Sequence, residues 1–432
     1  MRKRVVDENI GILSYEIRNI VKIAKKIESY GVNITWENIG DPVSKGEQVP
    51  EWIKDIVLNL VKENSTWAYS PSKGLENVRK FLAELVNKNP GAKITEEDII
   101  FFNGVGDIIS KLYFLLDRES RVIGPSPSYP THSSAEAAHA LSPHLTYELN
   151  PNNGWLPNLE DMRNKVANNQ NIVGILVVSP NNPTGTVYPR ETMQGIVDIA
   201  REFGLLVICD EIYLNLNHNV TKVTPLSEVI GEVCGLSLKG ISKEVPWPGS
   251  RCGWVEAYNH GKDSEFAKYF KALEDAKMME VCSTTLPQAA IPLIFSDNRY
   301  PGHIAQRNLR FKEQAELAYN LLKDVKGIKV VKPNGAFYMT ILFEDNVLNT
   351  QKTLPIENQS AREYVESITK GVEPDVRFAY YLLGSTGICV VPLTGFCCKK
   401  PGFRITLLET DIGKFRTVIE TIKAKIAEYL RQ

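Results

Sequence analysis

The sequence predicts an α/β protein: a large domain with a mostly parallel sheet flanked by helices, joined to a smaller α+β domain. The first observation is an alternation in the middle of the chain between short apolar runs and amphipathic stretches. IIFF (99–102) precedes a helical pattern near 105–117, and GILVVS (174–179) precedes RETMQGIVDIAREFG (190–204) and then LLVIC (205–209). Such runs lack the apolar–polar alternation of a half-exposed strand, so they are strands covered on both faces by crossover helices. The second observation is a change of character in the last third. One long helical pattern, HIAQRNLRFKEQAELAYNLLKDV (303–325), precedes IKVVK (328–332), FYMTILF (337–343), TGICVVP (386–392) and FRITLLE (403–409), with a closing helix near 411–430. In chain order this gives an N-terminal arm and helix over 1–48, a large domain over 49–302 and a small domain over 303–432. The arm is expected to pack with the small domain, because one helix and an extended segment cannot bury a core unaided.

At 432 residues, 43% hydrophobic and 23% charged, the composition is that of a soluble globular protein. The 50 basic and 51 acidic residues leave a net charge of −1, which excludes a strong field for nucleic acid or an anionic membrane. The N-terminus, MRKRVVDENIGILSYEIRNIVKIAKKIE, mixes acids and bases through an amphipathic pattern and lacks the apolar core of a signal peptide. No apolar run approaches the ~20 residues of a membrane span. The 7 cysteines are scattered, with Cys397-Cys398 as the one close pair and no Cys/His cluster at zinc spacing. Free thiols in a reducing cytoplasm are expected, and no metal site.

Ligands of open α/β sheets bind outside the carboxyl ends of the strands. After GILVVS, the loop PNNPTG (180–185) exposes Asn181 and Asn182 there. Asp210 follows LLVIC, with Glu211 read as its solvated neighbour and Tyr213 beyond; taken alone, the acid reads first as a strand-end turn or helix cap, and second as a ligand-site residue. In FFNGVGDII (101–109) a strand runs into a helix, and the amides of Val105, Gly106 and Asp107 suit a phosphate, although a tight turn fits the same residues. PSPSYPTH (125–132) holds Tyr129 and His132 in a proline-stiffened loop, either for stacking on a planar ligand or for packing. KGISKEVPWPGSRCGWVE (239–256) carries Lys239 and Lys243 ahead of a turn stiffened by Pro246, Pro248 and Gly249, then Arg251.

Taken together, these parts resemble the fold-type-I, pyridoxal-phosphate-dependent aminotransferases of class I/II. The matching order is YSPSKG (69–74), NGVGD (103–107), PSYP (127–130), NNPTG (181–185), DEIY (210–213), GISK (240–243), PGSRCGW (248–254) and FRIT (403–406). NIGDP (38–42) and PNGAFY (333–338) fit as well, so the resemblance covers essentially the whole chain. SYEIRNIV (14–21), NIGDP and YSPSKGL are similar to the branch with bacterial alanine (glutamate–pyruvate) aminotransferases.

The resemblance implies roles. Lys243 would form the Schiff base with pyridoxal 5'-phosphate and then shuttle the Cα proton. Asp210 would pair with the pyridinium nitrogen, positioned by His132, while Asn182 and Tyr213 bond the phenolic oxygen and Tyr129 stacks on the ring. Arg251, Ser242 and the amides of Val105 and Gly106 would hold the phosphate. Tyr69 would reach the phosphate of a neighbouring subunit, making a homodimer with shared active sites. Arg404 would clamp the substrate α-carboxylate, with Asn182 beside it, and Gly40 would close the arm over the substrate. Lys239 reads as an ordinary side chain near a strand end, and Ser283 and Thr284 as candidates for the partner's phosphate contact.

Two departures stand out. Many relatives carry a phosphate-binding serine where this chain has Gly240, and Asp107 puts an acid in the phosphate loop. The expectation is a cytoplasmic, homodimeric enzyme moving an amino group between an alanine-like L-amino acid and a 2-oxo acid by a ping-pong reaction, with glutamate as one partner. Aspartate or aromatic aminotransferase activity is the alternative. A C–S lyase, or a non-catalytic regulator on the same fold, is disfavoured; the roughly 48 residues before the large domain are not notably basic, as a DNA-binding extension would be.

Overall fold

The structure is a computed structural model that describes residues 16–218 and 222–431. The chain begins with helix α1 (Glu16–Glu28) and a two-residue strand, β1 (Thr35–Trp36). Helices α2 (Glu51–Val61) and α3 (Glu76–Asn87) lead into the large sheet. Its strands are β2 (Ile99–Phe102), β3 (Arg121–Ser126), β4 (Thr146–Asn150), β5 (Leu156–Pro157), β6 (Ile172–Val178), β7 (Leu206–Asp210), β8 (Gly235–Gly240) and β9 (Gly253–Tyr258). Across the sheet they lie in the order β2-β9-β8-β7-β6-β3-β4-β5. The run from β8 to β4 is parallel, whereas β9 runs antiparallel between β2 and β8, and β5 antiparallel to β4.

Between and after these strands come α4 (Val105–Phe114), α5 (Pro130–Ala140), α6 (Leu159–Ala167), α7 (Arg190–Phe203), α8 (Ser264–Met279) and α9 (Thr285–Phe295). The period of two along a strand sends alternate residues to opposite faces. Ile100 and Phe102 of β2 pack with Ile108 and Leu112 of α4 and Phe266 of α8. Ile99 and Phe101 pack on the other side with Val78 of α3, Ile196 of α7 and Ile291 of α9. All four residues of IIFF are buried, as an unalternating strand requires.

The long helix, α10, runs Tyr300–Leu322 and leads into the second part of the chain. Strands β10 (Ile328–Val330) and β11 (Tyr338–Phe343) follow, then α11 (Gln359–Ile368) and α12 (Pro374–Thr386). Next come β12 (Ile388–Cys389), β13 (Val391–Pro392), β14 (Gly402–Thr406) and α13 (Ile412–Arg431). A four-stranded antiparallel sheet has the order β10-β11-β14-β13, and β12 pairs instead with β1 in parallel. TGICVVP is therefore two strands of two sheets, because the chain changes partners at Val390. Ile20, Ile23, Ala24 and Ile27 of α1 bury in one cluster with Phe378, Leu383 and Val390. Among the described residues no helix is long and apolar enough to cross a membrane.

Gly387 fixes how the N-terminal strand docks. It closes α12 in a left-handed conformation, φ 75°, its N–H bonds Leu383 O and its carbonyl accepts from Thr35 N at 2.9 Å. A Cβ there would sit 1.9 Å from Asn33 O. Gly387→Ala is expected to cost about 1–3 kcal/mol in thermal or denaturant unfolding, from the left-handed backbone and the clash together. Gly302, in the first turn of α10, has no atom within 4 Å of a built Cβ. There the same substitution is expected to gain up to about 1 kcal/mol. Equal effects at the two sites would refute the steric account.

Candidate active site

A cavity of about 530 Å³ opens beside the carboxyl ends of β7 and β8, walled by Val105 and Gly106, Tyr129, Asn182, Asp210, Tyr213, and the pair Ser242 and Lys243, with Arg251 completing it. Residues spread over some 150 positions of sequence thus converge because strand ends and their loops meet at one edge.

Asp210 ends β7 and is 2% exposed. Its Oδ1 accepts from Ile212 N at 3.1 Å, and its Oδ2 lies 3.2 Å from His132 Nε2. His132, fully buried, has Nδ1 3.2 Å from the Tyr113 hydroxyl. Burial holds Tyr113 well above the usual phenol range, so its hydroxyl is protonated and can donate to Nδ1. We assign the imidazole proton to Nε2 on that basis, which directs it at Asp210.

Lys243 Nζ donates to Gly40 O at 2.7 Å and lies 5.9 Å from the Phe337 ring centroid. Burial is the largest influence on this amine and lowers its pKa to about 8; Asp41 pulls it up, Arg404 and Arg251 push it down, and Asp210 pulls it up. Gly40 itself must be a glycine, since a Cβ would stand 2.2 Å from the Tyr338 hydroxyl. That hydroxyl shares a 2.9 Å hydrogen bond with Tyr213, whose own pKa burial raises well above the ordinary value.

Arg251 adopts a left-handed conformation, φ 50°, at the end of the 248–250 turn. Its guanidinium donates to Pro248 O (3.1 Å) and Asn103 O (3.3 Å) and lies over Gly104, where a Cβ would meet Nη2 at 2.6 Å. The cation therefore stands at the N-terminus of α4, whose first amides belong to Val105 and Gly106. Asp107, one residue on, turns its carboxylate elsewhere: it accepts from Asn103 N at 3.0 Å, pairs with Lys111, and has Lys277 at 3.6 Å. Burial alone would raise its pKa, but these partners leave it below the usual carboxylate value.

Arg404, on β14 and 2% exposed, reaches the site from the other sheet. It donates to Asn182 Oδ1 (3.1 Å) and Asn38 O (2.5 Å), and its guanidinium lies 4.5 Å from the Tyr338 ring centroid. Asn182 is held out by Asn181, whose Oδ1 caps Thr184 through N (3.1 Å) and Oγ1 (2.9 Å). Tyr129 is half-buried and edge-on to His132, their centroids 6.3 Å apart.

Tyr69, expected to reach a neighbouring subunit's phosphate, does not line its own chain's cavity and is 82% exposed. Two other expectations change. Glu211 is buried, not solvated: its Oε1 accepts from Leu226 N at 2.6 Å. Lys239, read as an ordinary side chain, stands between Glu256 (2.8 Å) and Glu211 (3.5 Å) in that same buried cluster. Those carboxylates outweigh the effect of burial and keep the Lys239 amine protonated. Ser283 Oγ donates to Phe101 O and Thr284 Oγ1 to Arg251 O. Sequence reasoning assigned nothing to Tyr338 or Asn38, although both fall inside quoted motifs, and that placement was the available signal.

The cavity has a cationic corner at Arg251 and α4, a buried carboxylate at Asp210, and an amine of lowered pKa. This donor set fits pyridoxal phosphate: a doubly charged phosphate, a basic ring nitrogen and an aldehyde each find a partner of suitable chemistry. The family "Aminotransferase class I and II" matches residues 36–422. An uncharacterized aminotransferase of Methanocaldococcus jannaschii is 55% identical over 431 residues, 100% of both chains. Glutamate-pyruvate aminotransferase of Escherichia coli is 30% identical over 334 residues, covering 75% of this chain and 79% of its own. An aminotransferase structure from Escherichia coli superposes with a TM-score of 0.84 at 26% identity, covering 99% of this chain and 98% of that one. The strand-end carboxylate, the buried amine and the arginine at the helix start thus stand in a chain that belongs to the class I and II aminotransferases, a family that uses pyridoxal phosphate.

Proposed function

We propose that the protein moves an amino group between an alanine-like L-amino acid and a 2-oxo acid in two half-reactions through one site, with glutamate and 2-oxoglutarate as one pair. The observation that carries this reading is Arg404. Its guanidinium is buried, fixed by Asn182, Asn38 and Tyr338, and shares a site with the Lys243 amine. A planar fork of N–H donors suits a carboxylate, and its distance from the reactive amine is set by rigid elements. The alanine preference is supported by the 30% identical relative named glutamate-pyruvate aminotransferase.

Bound pyridoxal phosphate supplies the aldehyde that takes the amino group and the ring that accepts the electron pair released at Cα. The chain's own residues do the rest. Asp210, steadied by His132 and Ile212 N, holds the ring-nitrogen proton. Tyr213 and Asn182 would donate to the ring oxygen, and Tyr129 would stand beside the ring. Arg251, Ser242 and the start of α4 would hold the phosphate. Lys243 Nζ moves the Cα proton, and a pKa lowered to about 8 makes it an effective base near neutral pH. The arm at Gly40 excludes water above it.

We propose a homodimer with shared sites for the same protein. Tyr69 (82% exposed) and Trp67 (75%) form an exposed aromatic cluster on one segment, tied to the start of α9 by a Thr285 Oγ1 bond to Ala68 O. Such a cluster suits burial by a second copy. The division into 1–48, 49–302 and 303–432 is likewise our reading, supported by α1 burying among residues of the last segment. A cytoplasmic setting accords with 7 unpaired cysteines.

The purified chain, tested against a panel of amino donors and 2-oxo acids, is expected to turn over alanine with 2-oxoglutarate. Borohydride reduction should fix the cofactor on Lys243; a label on Lys239 or no turnover with any donor would sink the assignment. Arg404→Lys should lower kcat/KM for alanine by about a hundredfold or more while cofactor absorbance persists, because one ammonium cannot replace a bidentate fork. Wild-type kinetics would remove Arg404 from the substrate site. Mixing inactive Tyr69→Ala and Lys243→Ala subunits should restore activity through hybrids carrying one intact site, and absence of rescue despite subunit exchange would refute the shared dimer.

A further inference from the structure

Arg307 is an unusual residue for the inner face of a long helix. It projects from α10, is 4% exposed, and donates Nη1 to two successive carbonyls, Lys243 O at 2.7 Å and Glu244 O at 2.9 Å. Its Nε donates to Glu47 Oε1, and Glu47 also pairs with Arg310 on the next turn of the same helix. Glu47 is 5% exposed; burial would raise its pKa, yet the two guanidiniums bring it below the usual carboxylate value. Three separate parts of the chain, the arm, the loop bearing the amine and α10, therefore meet at one guanidinium.

The arm between Glu37 and Glu47 is fastened at both ends. At its start, Glu37 pairs with Lys45 (2.9 Å) and accepts from Thr406 Oγ1 (3.0 Å). In the middle, Asp41 caps Val43 N (3.0 Å) and Ser44 N (3.2 Å), which closes the turn. Between these fastenings lie the two contacts the site uses, Asn38 O on Arg404 and Gly40 O on Lys243. The charged groups acting on the amine come from four elements: Asp41 from the arm, Arg404 from β14, Arg251 from the turn before β9, and Asp210 from β7. Only the arm's contribution depends on a segment without a sheet of its own beyond β1.

We propose that Arg307, through Glu47, is a positioning residue that locks the arm to the Lys243 loop and so sets the surroundings of the reactive amine and of Arg404. The proposal rests on the transaminase reading of Lys243. Neither Arg307 nor Glu47 lines the cavity, and the Nε and Nη1 donors of Arg307 are taken by Glu47 and the carbonyls of Lys243 and Glu244. Removing the Glu47 charge releases the rear of the arm and admits water over Lys243. Burial is the largest cause of that amine's lowered pKa, so hydration outweighs the loss of the Asp41 field, and the pKa moves up from about 8.

The test uses the full-length chain as wild type, Glu47→Gln and Arg307→Lys. Competitive acylation of Lys243 across pH, read by peptide mass spectrometry on cofactor-stripped protein, should give an apparent pKa higher by about half a unit or more in both variants. In the loaded enzymes, KM for alanine should rise by about tenfold, the size of one lost charge-assisted hydrogen bond, and by more than kcat falls. The double variant should shift no further than the larger single one. Unchanged Lys243 titration and KM in both variants, with only the melting temperature lowered, would reduce the pair to a structural role and overturn the proposal. If Arg307→Lys does not fold, Glu47→Gln and the shortened Glu47→Asp probe the same link from the arm side, with the same outcomes for and against. Failure of the wild type to transaminate any donor would sink the proposed reaction instead, while the Lys243 titration still decides the role of the pair.

Discussion

An amine held out of water governs this site. Burying Lys243 disfavours its charged form, and two guanidiniums, Arg404 and Arg251, act on it in the same direction. Three potential cations in one small space are tolerable only if carboxylates and carbonyls are brought to them from elsewhere. The structure brings them from far apart in the chain: Asp210 from a central strand, Asp41 and Gly40 O from the arm, Asn38 O for Arg404. The two sheets and the N-terminal arm must therefore keep a fixed relation for the amine to keep its basicity. The pairing of β1 with β12, and the glycine that permits it, belong to that requirement as much as any residue lining the cavity.

The phosphate corner shows the converse problem. An acid in the first turn of a helix is favoured by the helix dipole, yet Asp107 there would compete with any bound anion. Its carboxylate is instead drawn to Asn103 N, Lys111 and Lys277, and Lys277 is itself fully buried and paired with Glu280 at 2.7 Å. The two lysines compensate the acid locally, which leaves Arg251 and the leading amides as the net positive end of the cavity. A similar separation of charge operates behind β8, where Lys239 is held between Glu211 and Glu256. Four residues apart, Lys239 and Lys243 thus end in opposite protonation regimes, one held charged by carboxylates and the other pushed toward neutrality by burial.

What was legible in the sequence follows from where the information is local. IIFF, GILVVS and LLVIC announce buried strands, and a residue immediately after such a strand is placed at the ligand edge by topology alone. Asp210, Asn182 and Val105 could be found in this way, whereas Lys243 was told from Lys239 by the resemblance of GISK to the family pattern. Arg307 could not, because in HIAQRNLRFKEQ it is one of several basic residues on a helix, and its burial depends on an arm some 260 residues away. Glu211 was misread for the same reason, since it looks solvated until Leu226 N and Lys239 are brought to it by the fold. The break in TGICVVP was hidden too, since an apolar run does not reveal that its halves serve different sheets.

The glycine at 240 in place of the expected serine has a steric cause that only pairing reveals. Gly240 faces Gly253 across β8 and β9, and a Cβ on Gly240 would lie 2.8 Å from Cys252 O. A Cβ on Gly253 would in turn press on Val105 N at 3.0 Å, the first amide of the phosphate corner. The two glycines let β8, β9 and the start of α4 approach closely, which carries the helix N-terminus toward the cavity. A serine at 240 would push the strands apart at the point where Arg251 and α4 must converge. Ser242, two residues along, lines the cavity next to Lys243. Close backbone approach at Gly240 and Gly253 is thus what brings β8, β9 and the start of α4 to one edge of the cavity.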